Sequence, residues 1–253
     1  MGRFSVSIRG REIHQWRAGK ARNLFQYLIV NRGRVVPKLK LYDALWPRRE
    51  WSPHSSSLKV AVHALRRILE SAADADLALS IGHQDFGYIL HTGKIWVDVD
   101  EFEARLEEGR AAAQAGDKAA ALAAYSSAMH LYQDGFLIGE SADWIDEQRE
   151  WCKALALPAL TWLAEEAFAR DDLNDLIRWC RRIIEIDPYH ERAYQLMIMA
   201  HGKRGNLGSA RRWYGMCMTR LREDFGVEPS EFTRQIYQRV LRRRHQTGTI
   251  VAR

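Results

Sequence analysis

The sequence predicts a mainly α-helical protein in which a small N-terminal α+β part precedes an all-α part. Strand-like alternation is confined to short stretches within the first 93 residues, and helical periodicity fills the remainder, interrupted by short Gly/Asp breaks. The length of 253 residues suits roughly two domains. We therefore expect domains at residues 1–94 and 95–246, with residues 247–253 as a flexible tail.

Composition excludes several classes of protein. Hydrophobic residues make up 47% and charged residues 28%, which is typical of a folded globular chain. No apolar run approaches the roughly 18 residues of a membrane span, and the first residues lack the apolar region of a secretory signal. Cys152, Cys180 and Cys217 are far apart, which favours buried thiols over disulfides or a metal site. We expect a cytoplasmic protein without a membrane partner.

Positive charge is concentrated near the N terminus. The net charge is +6, yet residues 1–93 hold 15 Lys and Arg against 7 Asp and Glu, a net of +8. Residues 94–253 hold the other 23 against 25, a net of −2. A basic small domain beside a near-neutral one favours a polyanionic partner, such as nucleic acid, for the first domain.

The N-terminal elements follow an informative order. Alternation in residues 4–8 and 11–16 predicts a hairpin, and helices are predicted at residues 20–31 and 38–46, where Pro47 ends the second. A third helix should begin at Ser52, a good N-cap followed by proline. Residues 79–81 and 87–90 then predict a second hairpin around a turn at residues 82–85. This order is that of a winged helix-turn-helix.

The third helix carries two contrasting faces. Apolar residues at spacings of three and four form one face: Leu58, Ala61, Val62, Leu65, Ile68 and Leu69. The second face has hydroxyl, cationic and small apolar groups: Ser56, Lys59, Val60, His63, Arg66 and Arg67. A solvated surface is the usual explanation of a charged face, but such faces mix signs, and this one does not. We favour DNA contact.

From residue 95 the sequence predicts an all-α, tetratricopeptide-like repeat domain. Breaks at residues 116–117, 171–172 and 205–206 each precede an amphipathic helix, at residues 120–132, 173–186 and 207–225. The last two breaks lie 34 residues apart, the period of the tetratricopeptide repeat. Residues 228–230 should open a final helix. We expect four tryptophans to pack in the core and not to form a ligand cage: Trp144, Trp151, Trp162 and Trp179.

Several stretches resemble the Streptomyces antibiotic regulatory protein family. Residues 20–47 resemble the first two helices of its DNA-binding domain, residues 55–70 its recognition helix, and residues 86–90 its wing strand. Residues 95–109 resemble its junction to the second domain, and residues 122–151 and 220–237 are similar to the bacterial transcriptional activation domain. "WVDVDEFE" together with "GVEPS" is the specific combination. The resemblance covers about residues 4–241.

The resemblance implies a sequence-specific transcriptional activator, often of secondary-metabolite gene clusters. Such proteins bind direct repeats in double-stranded promoter DNA and recruit RNA polymerase holoenzyme. A homodimer on the DNA is an expected arrangement. The expected location is the cytoplasm, on the nucleoid. The chain departs from the family at the wing tip, residues 83–86, where Asp85 would repel phosphate unless it is turned away.

The candidate functional residues form two groups of DNA contacts and one polymerase-contact loop. Arg and Lys can bind guanine, serines at a helix start suit phosphate or base edges, and Val60 can pack on a thymine methyl. Groove contacts are therefore assigned to Ser55, Ser56, Lys59, Val60, His63, Arg66 and Arg67. Arg66 and Arg67 remain open to a phosphate role instead. Backbone contacts are assigned to Lys20, Arg22, Arg34, Lys38 and Tyr88. In family members the loop holding Arg48, Arg49, Glu50 and Trp51 can meet polymerase.

Enzymatic function is not indicated. The sequence lacks the phosphate-loop, nucleophile-elbow and HExxH motifs, and His63 has no second histidine four residues away. We expect no catalytic residues, cofactor or metal. Two alternatives stay open: a protein-interaction scaffold built on the helical repeats, and a regulator whose small-molecule effector binds among the tryptophan-rich helices.

Overall fold

The computed structural model describes residues 1–8, 10–14, 16, 19–47, 56–72, 79–93, 95–133 and 135–247. The chain divides into two compact units. One consists of Met1–Asp98 with Asp134–Glu150, and the other of Val99–Gln133 with Trp151–Arg253. Within the described ranges no helix combines the length and apolarity needed to cross a bilayer.

The first unit is a winged helix, as predicted. Strands β1 (Ser7–Ile8) and β2 (Arg11–Glu12) pair antiparallel and precede helices α1 (Gly19–Val30), α2 (Lys38–Leu45) and α3 (Ser57–Ala72). Strands β3 (Val36–Pro37), β4 (Ser80–Gln84) and β5 (Gly87–His91) form an antiparallel sheet in the order β3-β5-β4. The strand β3 was not predicted from the sequence. The predicted N-cap of α3, Ser52, lies outside the described residues.

The wing hairpin is longer than predicted. β4 continues through Gln84, so the turn consists of Asp85 and Phe86 and not of residues 82–85. Asp85 adopts φ 49°, a left-handed conformation that Asp tolerates better than most side chains. This conformation permits the tight two-residue turn.

One apolar core joins the three helices to the wing. Its most buried leucines come from the three helices and strand β5: Leu24, Leu28, Leu41, Leu45, Leu65 and Leu90. Burying each such side chain contributes about 1.5–3 kcal/mol. This core fixes which side of α3 faces outward.

Seven helices follow among the described residues. They are α4 (Asp98–Gln114), α5 (Lys118–Leu131), α6 (Asp143–Ala169), α7 (Leu173–Ile186), α8 (Glu191–Lys203), α9 (Leu207–Phe225) and α10 (Glu231–Thr247). In the second unit α8 packs against α7, α9 and α10. These consecutive packed helices give the predicted tetratricopeptide-like arrangement. α10 reaches Thr247, the first residue of the predicted tail, and residues 248–253 lie outside the described part of the chain.

The three predicted breaks share one local structure. In each, a residue with positive φ is followed by an Asp or Asn that caps the next helix. The cap oxygens accept hydrogen bonds from backbone amides three residues on, at 2.9 Å for Asp117, 3.0 Å for Asp172 and 3.2 Å for Asn206. The repeated break therefore has a structural cause, which confirms the predicted helix starts to within about three residues.

The four tryptophans do not share one environment. Trp179 is only 6% exposed, and Trp144 and Trp162 are half-buried. Trp151 is 55% exposed, so its predicted core role is wrong. The buried side of α6 is formed by neighbouring positions such as Cys152 and Ala156, and Trp151 points outward, its Nε1 3.4 Å from a Glu103 carboxylate oxygen.

The three cysteines are buried and form no disulfide, as predicted. Burial raises the pKa of Cys180 and of Cys217 from the ordinary 9.0 to about 12. At neutral pH this lowers the reactive thiolate fraction about a thousandfold. We expect iodoacetamide to label both residues at least about a thousand times more slowly in the native protein than in denaturant. Mass spectrometry of digested samples measures this, and labelling of native Cys180 at the denatured rate would contradict it.

Residues 135–150 belong to the first unit, although the sequence places them in the second domain. Trp144 packs edge-to-face on Tyr27 of α1, with ring centroids 5.1 Å apart. The amide of Ile138 donates to the carbonyl of Gly2 at 2.9 Å. Aromatic and backbone contacts thus hold this segment to the winged helix.

Candidate nucleic-acid interface

The outward side of α3 carries one continuous row of polar and cationic groups. Ser56, Lys59, His63 and Arg67 are exposed, and Val60 among them is 63% exposed. These positions follow the three- and four-residue spacing of one helix face. From Ser56 to Arg67 the row extends about 16 Å along the axis.

The opposite side of α3 holds the helix in place. Leu58, Ala61, Val62, Leu65 and Leu69 are all buried in the core of the winged helix. Because this apolar side is fixed against α1 and the sheet, the polar row cannot rotate inward. The side chains of Lys59, His63 and Arg67 have no ion pair within the described part of the chain. They are therefore free to meet a ligand.

Arg66 differs from its neighbours in the predicted groove set. Its Nε and Nη2 donate to the Ile81 carbonyl oxygen, at 3.2 Å and 2.7 Å. Ile81 lies in β4, an edge strand of the sheet. The half-buried Arg66 side chain thus braces α3 against the wing, and its donors are directed away from the outward row.

Two predicted backbone contacts have partners within the first unit. The ammonium of Lys20 donates to the Leu45 carbonyl and lies 5.6 Å from the Trp46 ring centroid. The guanidinium of Arg22 forms an ion pair with Glu140 and lies 5.1 Å from the ring centroid of Phe4. Both side chains are engaged by groups of the protein itself. They are therefore less available to bind a DNA phosphate.

The remaining backbone candidates lie near the start of α2. Arg34 is exposed, and Lys38 is half-buried, its amide donating to the Phe86 carbonyl at 3.1 Å. Lys40, which the sequence reasoning did not single out, is exposed and has no ion pair among the described residues. Its position in the helix-turn-helix, two residues after Lys38, could have identified Lys40 as a candidate phosphate contact from the sequence.

Tyr88 is corrected to a core residue. It is only 6% exposed and belongs to the winged-helix core. Its ring packs edge-to-face on His83 of β4, with centroids 5.2 Å apart. Tyr88 points inward because alternate residues of β5 face the helices. Asp85 and Phe86 at the turn are exposed, the latter by 64%.

Five predicted contacts lie outside the described residues: Ser55, Arg48, Arg49, Glu50 and Trp51. Within the described ranges no group of three His, Cys, Asp or Glu side chains is placed to hold a metal ion. The candidate site is therefore the outward row of α3, with the exposed cations of α2 and its preceding turn beside it.

Both parts of the chain match known domain families. Residues 97–241 match the bacterial transcriptional activator domain. Residues 16–90 match the C-terminal domain of transcriptional regulatory proteins. The two matches cover the helical region and the winged helix in turn.

Individual relatives are similar over most of this chain. The transcriptional regulatory protein MoaR1 of Mycobacterium tuberculosis is 26% identical over 246 residues, which are 96% of this chain and 78% of MoaR1. The transcriptional regulator RedD of Streptomyces coelicolor is 26% identical over 234 residues, 89% of this chain and 65% of RedD.

A solved structure of Mycobacterium tuberculosis EmbR, in complex with a low-affinity phosphopeptide, has the same fold. The TM-score is 0.74 at 25% identity, covering 96% of this chain and 64% of the EmbR chain. This chain thus spans less than two thirds of the RedD and EmbR chains.

Proposed function

Because this chain belongs to the Streptomyces antibiotic regulatory protein family of transcriptional activators, we propose that it binds promoter DNA through α3 and recruits RNA polymerase holoenzyme. The observation that carries the DNA-binding half is the one-sided α3, whose outward row is cationic and whose other side is buried. A helix with such a row fits the major groove, where side chains can reach base edges.

The groove contacts are a subset of those the sequence predicts. Lys59 and Arg67 donate to guanine O6 and N7, and Val60 packs against a thymine methyl group. His63 lies between them on the same row and meets the same base pairs. Ser56 stands at the start of the helix, where the dipole favours a phosphate.

Arg66 acts as a positioning residue and does not read bases. The Arg66→Met variant loses two hydrogen bonds from a charged donor to Ile81, and we expect it to cost about 1.5–3 kcal/mol of unfolding free energy. In the folded variant the ratio of target affinity to unrelated-duplex affinity should stay near that of the wild type, because the outward row of α3 is unchanged. The adjacent Arg67→Met should lower target affinity selectively. Urea unfolding and titration of both duplexes measure this, and a selective loss with Arg66→Met would contradict it.

Phosphate contacts come from cations without an internal partner. Arg34, Lys38 and Lys40 lie around the start of α2, which crosses the backbone in a helix-turn-helix. These contacts position the domain and add affinity that falls with salt. Lys20 and Arg22 have the weaker claim, since each is engaged within the protein.

Assembly on the promoter follows the family. Two copies occupy direct repeats, as a homodimer formed on DNA, and the loop holding Arg48, Arg49, Glu50 and Trp51 meets polymerase. The protein then acts in the cytoplasm, on the nucleoid, at promoters such as those of secondary-metabolite clusters. The domain assignment at residues 1–94 and 95–246 is part of this proposal.

Selection from genomic DNA tests the first half. Purified protein is mixed with fragments of its own genome, and retained fragments are sequenced at several salt concentrations. We expect enrichment of fragments with direct repeats, with log affinity falling linearly with log salt. Failure to enrich any fragment over the input would contradict DNA recognition.

Transcription in vitro tests the second half. A template carrying the enriched repeat upstream of its promoter is transcribed by purified holoenzyme, with and without the protein. We expect more transcript with the wild type. Alanine at residues 48–51 should keep repeat binding and lose the stimulation. Equal stimulation by this variant would remove the polymerase role from the loop.

A further inference from the structure

A basic groove lies in the second unit, and no residue of α3 lines it. It is formed by one face of α7 and the C-terminal end of α5, and its volume is about 560 Å³. Ligand sites commonly enclose roughly 300–1,000 Å³. We call it the α7 groove. Neither the DNA contacts nor the polymerase loop uses it.

The α7 groove has an excess of positive charge. Arg178, Arg181 and Arg182 line it, and Glu185 is the one carboxylate among its lining residues. Arg182 is tied to the wall, because its Nη2 donates to the Tyr132 carbonyl at 2.7 Å. The other two guanidiniums are more exposed. Arg178 forms an ion pair with Asp175 at 2.9 Å, and Arg181 has no ion pair within the described ranges. The groove is therefore suited to anionic groups.

Trp179 adds a second feature of a binding site. It lines the groove and is only 6% exposed, yet its Nε1 has no hydrogen-bond partner in the described part of the chain. A buried donor left without an acceptor costs about 1–3 kcal/mol. The guanidinium of Arg178 covers the indole ring, with its Cζ 4.3 Å from the ring centroid. Because this nitrogen is also shielded from solvent, a ligand oxygen can supply the missing acceptor once side chains that cover the indole, such as Arg178, move aside.

The dimensions and lining indicate an extended ligand. From Asn174 to Glu185 the groove follows α7 for about 16 Å. An extended peptide of about five residues has this length. Met129 and Ile177 give the groove apolar surface between the charged groups. Duplex DNA offers no apolar side chain for that surface and would place phosphate against Glu185.

We propose that the α7 groove binds an acidic peptide segment of a partner protein. Carboxylates of the peptide pair with Arg178 and Arg181, and an apolar side chain contacts Met129 and Ile177. A peptide oxygen accepts the hydrogen bond from Trp179 Nε1. This site goes beyond the proposed DNA and polymerase contacts, and its test does not depend on them.

The test uses the full chain and a random octapeptide library. Wild type is compared with the double variant Arg178→Gln/Arg181→Gln. The control, Arg211→Gln/Arg239→Gln, removes the same charge at exposed positions on α9 and α10 without ion pairs among the described residues. We expect wild type and control to enrich peptides rich in Asp and Glu with an interspersed apolar residue. The double variant should bind the selected peptide at least about tenfold more weakly.

Two further arms refine the result. Trp179→Phe keeps an aromatic ring and removes the Nε1 donor. We expect it to lower the affinity for the selected peptide about three- to tenfold. Amidating the C terminus of the selected peptide separates side-chain carboxylates from a terminal one. The proposal is overturned if acidic peptides are not enriched, or if the double variant binds them as the control does. It is also overturned if the double variant loses duplex DNA affinity but not peptide affinity.

Discussion

Alanine at both Lys59 and Arg67 is expected to reduce the preference for the promoter repeat strongly, while most affinity for unrelated duplex remains. Both side chains are exposed on the outward row of α3, and neither has an ion pair within the described ranges. Each good base contact contributes about 1–3 kcal/mol of discrimination, so their joint loss should weaken repeat binding at least about thirtyfold. Titration of labelled repeat and unrelated duplex measures both affinities.

A control of equal charge separates base reading from bulk electrostatics. Arg211→Ala/Arg239→Ala removes two exposed cations from the second unit and should leave the ratio of the two affinities unchanged. If the Lys59/Arg67 variant lowers both affinities by one factor, the row contacts only phosphate. The assignment of α3 as a reading helix would then be wrong.

The Gly87→Ala variant is expected to destabilise the first unit by about 3 kcal/mol, because its methyl group has no room. A Cβ at this position would lie 2.2 Å from the Val36 carbonyl oxygen and 2.9 Å from Val35 Cγ1. Gly87 begins β5 and pairs with Pro37 of β3, so relief requires separating these strands. Urea unfolding followed by circular dichroism measures the loss.

Gly19→Ala is the matched control in the same unit. A Cβ there meets nothing within 4 Å, and the residue stands at the start of α1. We expect the free energy of unfolding to change by less than about 1 kcal/mol. Equal effects of the two substitutions would show that the close approach of β3 to β5 is not what requires glycine at Gly87.

The sequence was informative where periodicity alone decides the structure. The two faces of α3 follow from spacing, and the structure buries Leu58 and Leu65 while exposing Lys59 and His63. The helix breaks were equally readable, because Gly205 and Asn206 have a local reason to adopt a left-handed turn and a cap.

Long-range partners explain what the sequence left hidden. Arg66 and Arg67 are adjacent and chemically identical, and only the position of β4 decides that Arg66 binds the Ile81 carbonyl. Arg22 was assigned to the DNA backbone as a cation of the basic domain, yet Glu140 pairs with it across 118 residues of chain. Spacing within one helix carries no information about either contact.

The most direct test of the DNA-binding claim combines a change in one DNA base with a change in the side chain proposed to contact it. Each guanine of the selected repeat is replaced in turn by 7-deazaguanine, which lacks the N7 acceptor, and wild type is compared with Arg67→Ala. We expect one guanine whose replacement costs the wild type about 1–3 kcal/mol and costs the variant almost nothing. If every replacement costs both proteins equally, Arg67 does not read a base, and the central claim is contradicted.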